Sequence, residues 1–256
     1  MNRYIEVYKY KSMTTIRPHN TFFDNITTIF VLCFIIVMGN SCKSKQESGV
    51  QVDNNTGKND QSAKETNISQ QKSDVKHILF FGNSLTAGYG LDENQSFPAL
   101  IQQRLDSLGL NYLSINAGLS GETSSGGKNR IEWVLKQKVD VFVLELGAND
   151  VLRGLDLSET EANLRAILDK VKTANPEVKF ILAGMHAPPN MGSDYTKKFG
   201  AIYPKLAKDY NAALIPFLLE NVATVPSLNL EDGKHPNAAG QYIVRENVWQ
   251  VLKGLL

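Results

Sequence analysis

A histidine and an aspartate near the carboxyl end of the chain have the spacing of a general base and its partner. His235 precedes Pro236, which holds the histidine backbone in an extended conformation. Asp232 stands three residues before His235, close enough for its carboxylate to reach the imidazole ring. An aspartate in that place selects the tautomer and stabilises the imidazolium, as an acyl-transfer base requires. The pair therefore predicts a site for acyl-transfer chemistry.

A serine follows a short apolar segment in the first half of the chain. Residues 78–81 are apolar and stop at Gly82, a pattern typical of a buried parallel strand, and Ser84 comes just after. Ligands of open α/β sheets bind outside the carboxyl ends of the strands, so the Ser84 hydroxyl is well placed for chemistry. The alternative is that Asn83 and Ser84 only form a turn and cap the next helix.

Other polar residues also follow predicted strands. Gly121 lies in a glycine-containing loop after the second strand, and Asn149 and Asp150 follow the third. Each has an ordinary alternative, because Gly121 could be a turn glycine and Asn149 or Asp150 a helix cap. His186 follows the fourth strand at the same edge, but no acidic residue lies near it in sequence. We therefore interpret His186 as a residue that lines the pocket.

The elements that must position these residues alternate along 75–256. Five apolar segments predict strands at 77–82, 112–117, 139–146, 178–184 and 212–217. Apolar residues at helical spacing predict helices at 97–108, 129–137, 159–172, 195–209 and 237–255. This alternation predicts an α/β fold, a three-layer α/β/α domain whose five-stranded parallel sheet is covered on both faces.

Residues 1–41 predict an export signal outside this domain. Lys9, Lys11 and Arg17 precede an apolar run at 26–38, which is short for a membrane span and suits the apolar region of a signal. An uncleaved membrane anchor or a buried helix is the alternative interpretation.

Cys42 follows this run, and the arrangement resembles a bacterial lipoprotein signal, in which the cysteine is acylated and becomes the mature N-terminus. The following segment, 42–74, is polar with hardly an aliphatic residue, which predicts a flexible tether. The expected location is the periplasm or outer membrane of a bacterium, with the protein held at the membrane by its lipid. Met13 could also be the true start of the chain.

Composition excludes several classes of protein. Its 27 basic and 26 acidic residues are interspersed, without the basic stripe that nucleic-acid binding demands. Both cysteines, Cys33 and Cys42, precede the domain, which excludes disulfides, thiolate catalysis and cysteine-based zinc sites there. Neither glycine-containing loop matches a Walker or dinucleotide fingerprint, and we expect no cofactor and no metal.

Four segments together resemble the blocks of the SGNH (GDSL-type) hydrolase family. They are, in the family's order, Gly82-Asn-Ser-Leu-Thr-Ala-Gly, Gly121, Gly-Ala-Asn149-Asp and Asp232-x-x-His235. The resemblance covers 75–256 and is strongest to the arylesterase and lysophospholipase/thioesterase I branch, to which the stretch Ala201-Ile-Tyr-Pro-Lys-Leu-Ala-Lys is also similar. It implies the flavodoxin-like fold of that family. Asn83 departs from the pattern, because the family usually has aspartate there.

The resemblance also implies roles for these residues. Ser84 would be the nucleophile, His235 its general base and Asp232 the orienting acid. The backbone N–H groups of Ser84 and Gly121 and the side-chain amide of Asn149 would form the oxyanion hole. A helix beginning after Ser84 would also direct the positive end of its dipole at the developing oxyanion.

The function implied is that of a serine esterase acting on acyl or aryl esters, lysophospholipids or thioesters through a covalent acyl-enzyme. One alternative is a polysaccharide O-deacetylase on the same fold, and another is a non-catalytic flavodoxin-like binding module. An α/β-hydrolase is disfavoured, because Gly82-x-Ser84-x-Thr86 lacks the second glycine of that fold's nucleophile turn.

Overall fold

The computed structural model of the chain describes residues 75–256. The predicted export signal at 1–41, the lipidation of Cys42 and the tether at 42–74 lie outside these residues. None of the helices at 75–256 has the length and apolar character needed to cross a membrane.

A single sheet of five parallel strands forms the centre of the domain. The strands are β1 (Lys76–Gly82), β2 (Tyr112–Gly118), β3 (Val141–Glu145), β4 (Lys179–Ala183) and β5 (Ala213–Ile215). Their order across the sheet is β2-β1-β3-β4-β5, and every neighbouring pair is parallel. The prediction of an α/β fold with a five-stranded parallel sheet is confirmed.

Seven α-helices connect the strands and follow the last of them. They are α1 (Ser84–Ala87), α2 (Phe97–Ser107), α3 (Ser124–Val134), α4 (Ala148–Leu152), α5 (Leu157–Ala174), α6 (Ser193–Asp209) and α7 (Ala238–Leu252). Helix α2 packs against α7, whereas α5 packs against both α3 and α6.

Neighbouring phenylalanines of β1 show that helices cover both faces of the sheet. Adjacent residues of a strand point to opposite faces, and Phe80 and Phe81 are both fully buried. The Phe80 ring packs edge-on against Phe97 of α2, with 5.5 Å between ring centroids. The Arg130 guanidinium of α3 lies over the Phe81 ring, 4.1 Å from its centroid. The sheet therefore lies between two helical layers.

The strand order reverses at β1. The chain passes from β1 to β2 on one side of it and then returns to place β3 on the other. Gly82 at the end of β1 is in register with Gly118 of β2 and with Glu145 of β3. The carboxyl ends of these three strands thus meet at the place where open α/β sheets bind their ligands.

Helix α3 begins earlier than the predicted range of 129–137. The Thr123 side chain caps it by accepting the Gly126 N–H at 3.3 Å. A Cβ atom at Gly127 would lie 2.5 Å from a methyl carbon of Leu146, so glycine allows this turn to pack directly on the core. Tertiary packing therefore outweighs the low helix propensity of two glycines.

The helix that follows Ser84 differs from the sequence prediction in length. Helix α1 has only four residues, one turn. A helix dipole is a sum over aligned peptide units, so one turn contributes little to the field at Ser84. The expected support from the dipole of this helix therefore rests on a single turn and stays a prediction.

Candidate active site

Ser84 lies in a tight turn at the carboxyl end of β1. The Asn83 side chain caps α1 by accepting the Leu85 N–H at 2.9 Å, so the capping role considered for Asn83 is present. Ser84 itself is 9% exposed, although it begins the helix. Capping and the delivery of a hydroxyl to the sheet edge therefore occur together in this turn.

The fold brings Ser84 into contact with the histidine and aspartate that precede α7. Ser84 Oγ lies 2.8 Å from His235 Nε2, although the two residues are 151 positions apart in sequence. His235 Nδ1 lies 2.5 Å from Asp232 Oδ2. With the carboxylate ionised, Nδ1 carries the ring hydrogen and donates a hydrogen bond to Asp232, which leaves Nε2 to accept the serine O–H. The three side chains form one continuous hydrogen-bonded chain.

Backbone groups hold the Asp232 carboxylate in place. Its Oδ1 accepts the N–H groups of Lys234 at 2.9 Å and His235 at 3.1 Å. Burial opposes the charge, but the hydrogen bonds from the His235 ring and from these two N–H groups lower the pKa of Asp232 to about 2. Asp232 is therefore a carboxylate throughout the range in which an imidazole ring titrates.

An aromatic ring that the sequence analysis did not single out packs against His235. The Tyr89 and His235 ring centroids are 4.6 Å apart and the rings are tilted by 39°. Tyr89 follows α1 in the loop after Ser84, and half of its surface is exposed. Its position two residues after Ala87 in the serine segment was the available signal, but sequence spacing does not show which ring it meets.

His186 is not part of the Ser84 hydrogen-bonded chain. Its ring stacks on Phe217, with centroids 4.0 Å apart and an angle of 8° between the planes. It is exposed after the end of β4. His235 is therefore the histidine that contacts Ser84, and the interpretation of His186 as a lining residue stays a prediction.

The loop that contains Gly121 is anchored by a bidentate ion pair. Arg130 donates from Nε to Glu122 Oε1 at 2.6 Å and from Nη2 to Glu122 Oε2 at 2.5 Å. Arg130 Nη2 also donates to the Ala117 carbonyl at 2.7 Å. The Glu122 side chain is 2% exposed, and paired charges shielded in this way hold a loop more firmly than surface pairs do. Arg153 donates to the Gly121 carbonyl at 2.9 Å.

Asn149 is tied to this same loop. Its Nδ2 donates to the Glu122 carbonyl at 3.0 Å, so one side-chain amide links α4 to the segment after β2. The cap of α4 is Gly147, not Asn149 or Asp150. The helix-cap alternative is therefore wrong for both residues.

Asp150 has a structural role one residue away. It is 1% exposed, and its oxygens accept the Ser124 N–H at 2.9 Å and the Ser124 hydroxyl at 2.5 Å. This contact attaches the first turn of α3 to α4. Asp150 therefore supports the elements that carry the Gly121 loop and Asn149.

The arrangement suits nucleophilic attack on a carbonyl group. A serine hydroxyl, a histidine that can take its proton and an aspartate that orients the histidine form the chain that covalent acyl transfer uses. Within 75–256, no group of three or more His, Cys, Asp or Glu side chains is arranged to hold a metal ion.

Comparison with protein families supports the same chemistry. Residues 80–243 match the model of the GDSL-like Lipase/Acylhydrolase family. The chain belongs to this family. The predicted SGNH (GDSL-type) membership is thereby confirmed, and so is the class of activity: the protein is a serine esterase of the SGNH type, an ester-bond hydrolase.

Individual relatives within the family are similar over nearly their whole length. Esterase TesA of Pseudomonas aeruginosa is 38% identical over 187 residues, which is 73% of this chain and 92% of the relative. Thioesterase 1/protease 1/lysophospholipase L1 of Escherichia coli is 39% identical over 180 residues, covering 70% of this chain and 84% of that protein. The psychrotrophic esterase EstA from Pseudoalteromonas sp., solved in a form inhibited by monoethylphosphonate, superposes with a TM-score of 0.66 at 33% identity and covers 70% of this chain and 97% of its own.

Proposed function

We propose that Ser84, His235 and Asp232 are the catalytic triad of this esterase, and that it hydrolyses acyl or aryl esters, lysophospholipids or thioesters. The observation that carries the proposal is the continuous contact from Ser84 Oγ to His235 Nε2 at 2.8 Å and from His235 Nδ1 to Asp232 Oδ2 at 2.5 Å. The names of the relatives support the substrate classes, since they include an esterase, a thioesterase/lysophospholipase and an arylesterase.

The proposed reaction has two halves. Ser84 Oγ attacks the acyl carbon while its proton moves to His235 Nε2, and the carbonyl electron pair moves onto oxygen. When the carbonyl forms again, the bond to the alcohol or thiol breaks and His235 returns the proton to that leaving group. A water molecule then attacks the acyl-serine, with His235 again taking and returning the proton, which releases the acid and restores Ser84.

The proposed oxyanion hole consists of the N–H groups of Ser84 and Gly121 and the Asn149 amide. The ion pair between Glu122 and Arg130 supports this assignment, because it anchors the residue that follows Gly121. The Glu122 carbonyl also orients the Asn149 amide. An amide nitrogen carries two hydrogens, so Asn149 can donate one to Glu122 and the other to an oxyanion.

We expect Asn149→Ala to lower kcat by about 10²- to 10³-fold with a small change in KM, because an oxyanion donor acts mainly in the transition state. Steady-state kinetics on a p-nitrophenyl ester would measure both constants. Asn247→Ala is a matched control, since Asn247 also donates its amide to backbone carbonyls, those of Leu218 and Glu220, but lies on α7. Both variants should lose a little stability, and only Asn149→Ala should lose turnover. Near-normal kcat in Asn149→Ala would remove this residue from the site.

The substrate class can be tested with esters of increasing acyl length. We expect turnover of p-nitrophenyl esters beyond acetyl, together with hydrolysis of a lysophospholipid or an acyl-thioester. An acetylated polysaccharide belongs in the same panel, because activity confined to acetyl groups would support the deacetylase alternative instead. Wild-type protein that hydrolyses none of these esters would contradict the proposed substrate class.

We further propose that the protein is an exported lipoprotein anchored at a bacterial membrane through Cys42. The basic residues before the apolar run at 26–38, the cysteine after it and the polar segment at 43–74 support this proposal. A polar tether would let the catalytic domain reach ester or lipid substrates near the membrane surface.

Replacing Cys42 with alanine should move the protein from the membrane fraction to the soluble fraction, because the acylated thiol is lost. Cys33→Ala is the matched control, since Cys33 lies inside the apolar run and should leave the lipid in place. Fractionation and mass measurement of the mature N-terminus would show both effects. Membrane association that persists in Cys42→Ala would favour an uncleaved anchor.

A further inference from the structure

A buried carboxylate at the end of β3 holds the turn that carries Ser84. Glu145 is 1% exposed. Its Oε1 accepts the Asn83 side-chain Nδ2 at 2.7 Å, and its Oε2 accepts the Asn83 backbone N–H at 3.1 Å and the Thr86 hydroxyl at 2.8 Å. A Cβ atom at Gly82 would lie 2.6 Å from Oε2, so the chain can pass this close to the carboxylate only as glycine.

These contacts set the direction of the Asn83 amide. Because Nδ2 donates to Glu145, Oδ1 is directed at the start of α1, where it accepts the Leu85 N–H at 2.9 Å. The same Oδ1 lies 3.4 Å from Ser84 Oγ. Glu145 therefore touches none of the proposed reacting atoms, but it acts on the nucleophile through Asn83.

The donors around Glu145 suit its ionised form. A carboxylate accepts only, and it meets two N–H donors and one hydroxyl donor here. A protonated carboxyl could keep its three partners only by turning its proton to the Thr86 hydroxyl, which would then accept instead of donate. A glutamine would place a donor opposite either the Asn83 amide or the Asn83 backbone N–H. One of these contacts would then be lost.

Asn83 departs from the Gly-Asp-Ser-Leu segment that gives the family its name, because this chain has Gly82-Asn83-Ser84-Leu85. An aspartate in the same place would put an oxygen about as close to Glu145 Oε1 as Nδ2 is now, 2.7 Å. Two buried carboxylates at that distance cannot both ionise, so they would have to share a proton.

We propose that Glu145 is a positioning residue for Ser84 and that Asn83 lets it act at alkaline pH. An aspartate at position 83 would have to share a proton with Glu145. The Asn83 amide instead pairs with the Glu145 carboxylate without a shared proton and holds the nucleophile turn at alkaline pH. This inference rests on the proposed function of Ser84. The Asn83 amide makes its hydrogen bond to Glu145 without a shared proton, whereas an aspartate could make this contact only with a bound proton.

Titratable side chains of two neighbouring helices also lie near Glu145. Tyr203 of α6 is buried and donates its hydroxyl to the Leu146 carbonyl at 2.8 Å, and its pKa is raised by burial and then by the charges of Glu145 and Asp150. Arg130 of α3 approaches the Gly82 carbonyl at 3.5 Å from Nη2. Burial raises the pKa of Glu145 from 4.5 to about 7, although the hydrogen bonds from Thr86 and Asn83 lower it.

This raised pKa makes the contribution of Glu145 to stability depend on pH. A carboxyl group whose folded pKa exceeds its unfolded value binds more protons in the folded state, so its contribution to stability falls as pH rises from 4.5 to about 7. The Tm of Glu145→Gln relative to wild type should therefore rise across this window.

Three variants test the proposal through kcat and its pH profile on a p-nitrophenyl ester. Glu145→Gln should lower kcat by about 10- to 100-fold at every pH, since a small displacement of a nucleophile is costly. Asn83→Asp should keep most activity near pH 6 and lose about tenfold or more by about pH 9, as the shared proton leaves.

The double variant, Asn83→Asp with Glu145→Gln, restores one amide and one carboxylate. The glutamine Nε2 can donate to the introduced aspartate, while the glutamine oxygen accepts the other two donors. Its kcat should return to within about fivefold of wild type with no alkaline loss.

Asp140→Asn serves as the control, because Asp140 is a partly buried carboxylate that accepts the His77 N–H at 2.9 Å at the opposite end of the sheet. It should alter Tm and leave the pH profile unchanged. A double variant no more active than Glu145→Gln, or a wild-type profile in Asn83→Asp, would overturn the proposal. A phosphonate that labels wild-type Ser84 would support the proposed function even where these variants overturn the role of Glu145. Unlabelled Ser84 would instead indicate that the proposed function fails.

Discussion

Replacing Ser84 with alanine is expected to lower kcat for ester hydrolysis by about 10⁶-fold, the size of loss found when the nucleophile of a serine triad is removed. The hydroxyl is the proposed attacking atom, and its removal deletes one oxygen from a site that remains packed. The variant should therefore fold normally while losing turnover. Steady-state kinetics and a thermal unfolding curve on the same preparation would measure the two effects.

A serine-directed phosphonate gives an independent measurement of the same assignment. Wild-type protein should gain one adduct, located at Ser84 by peptide mass analysis, and Ser84→Ala should gain none. Ser107→Ala is the control, since Ser107 lies at the exposed end of α2 and bonds only to the Arg104 carbonyl within its own helix. Turnover in Ser84→Ala within a few-fold of wild type would exclude Ser84 as the nucleophile.

Loss of His235 is expected to be almost as severe as loss of Ser84. His235→Ala should lower kcat by about 10⁵- to 10⁶-fold, because no other group in contact with Ser84 Oγ can accept its proton. Asp232→Asn should lower kcat by about 10⁴-fold, since an amide cannot stabilise the imidazolium and favours the wrong tautomer. A general base acts only in its unprotonated form, so wild-type activity should fall in acid.

The sign of the contribution of Asp232 to folding stability follows from its pKa. Because folding lowers that pKa from 3.8 to about 2, Asp232 contributes stability above pH 3.8 that is lost as pH falls towards 2. Asp232 is thus charged at every pH above this window, and the Asp232→Asn defect should appear over the whole activity profile. His77→Gln is the control, since His77 Nδ1 contacts the Lys138 carbonyl at the other end of β1. A profile unchanged in His235→Gln and abolished in His186→Gln would transfer the role of base to His186.

Local sequence patterns were sufficient for the five strands and for the proposed triad residues. A strand shows itself by its apolar run, so all five strands were predicted, with ends that differ from the structure by a few residues. Asp232 and His235 were recognisable because the relation that matters between them is local, three residues apart and held by backbone hydrogen bonds from Lys234 and His235. Ser84 was recognisable from its position after an apolar run that stops at glycine.

Glu145 is a residue that the sequence patterns did not single out. It stands inside the apolar segment Val-Phe-Val-Leu-Glu-Leu, and a charged residue within a buried strand is itself a signal. The sequence could not show its partners, because Asn83 and Thr86 lie about sixty positions away on another strand end. The same holds for Arg130 and the Gly121 loop, where the contact depends on how α3 packs beside β2.

The sequence by itself determined the α/β class, the five parallel strands and the candidates Ser84, Asp232 and His235, because strand runs, turn residues and short spacings are local properties of a chain. Only the tertiary structure decided which strand ends meet. Hydrophobic patterns separate strands buried on both faces from partly buried edge strands, but they do not say which of the buried strands are neighbours. The order β2-β1-β3 is what aligns Gly82 with Gly118 and Glu145. It thereby places the buried carboxylate beneath the turn that holds Ser84.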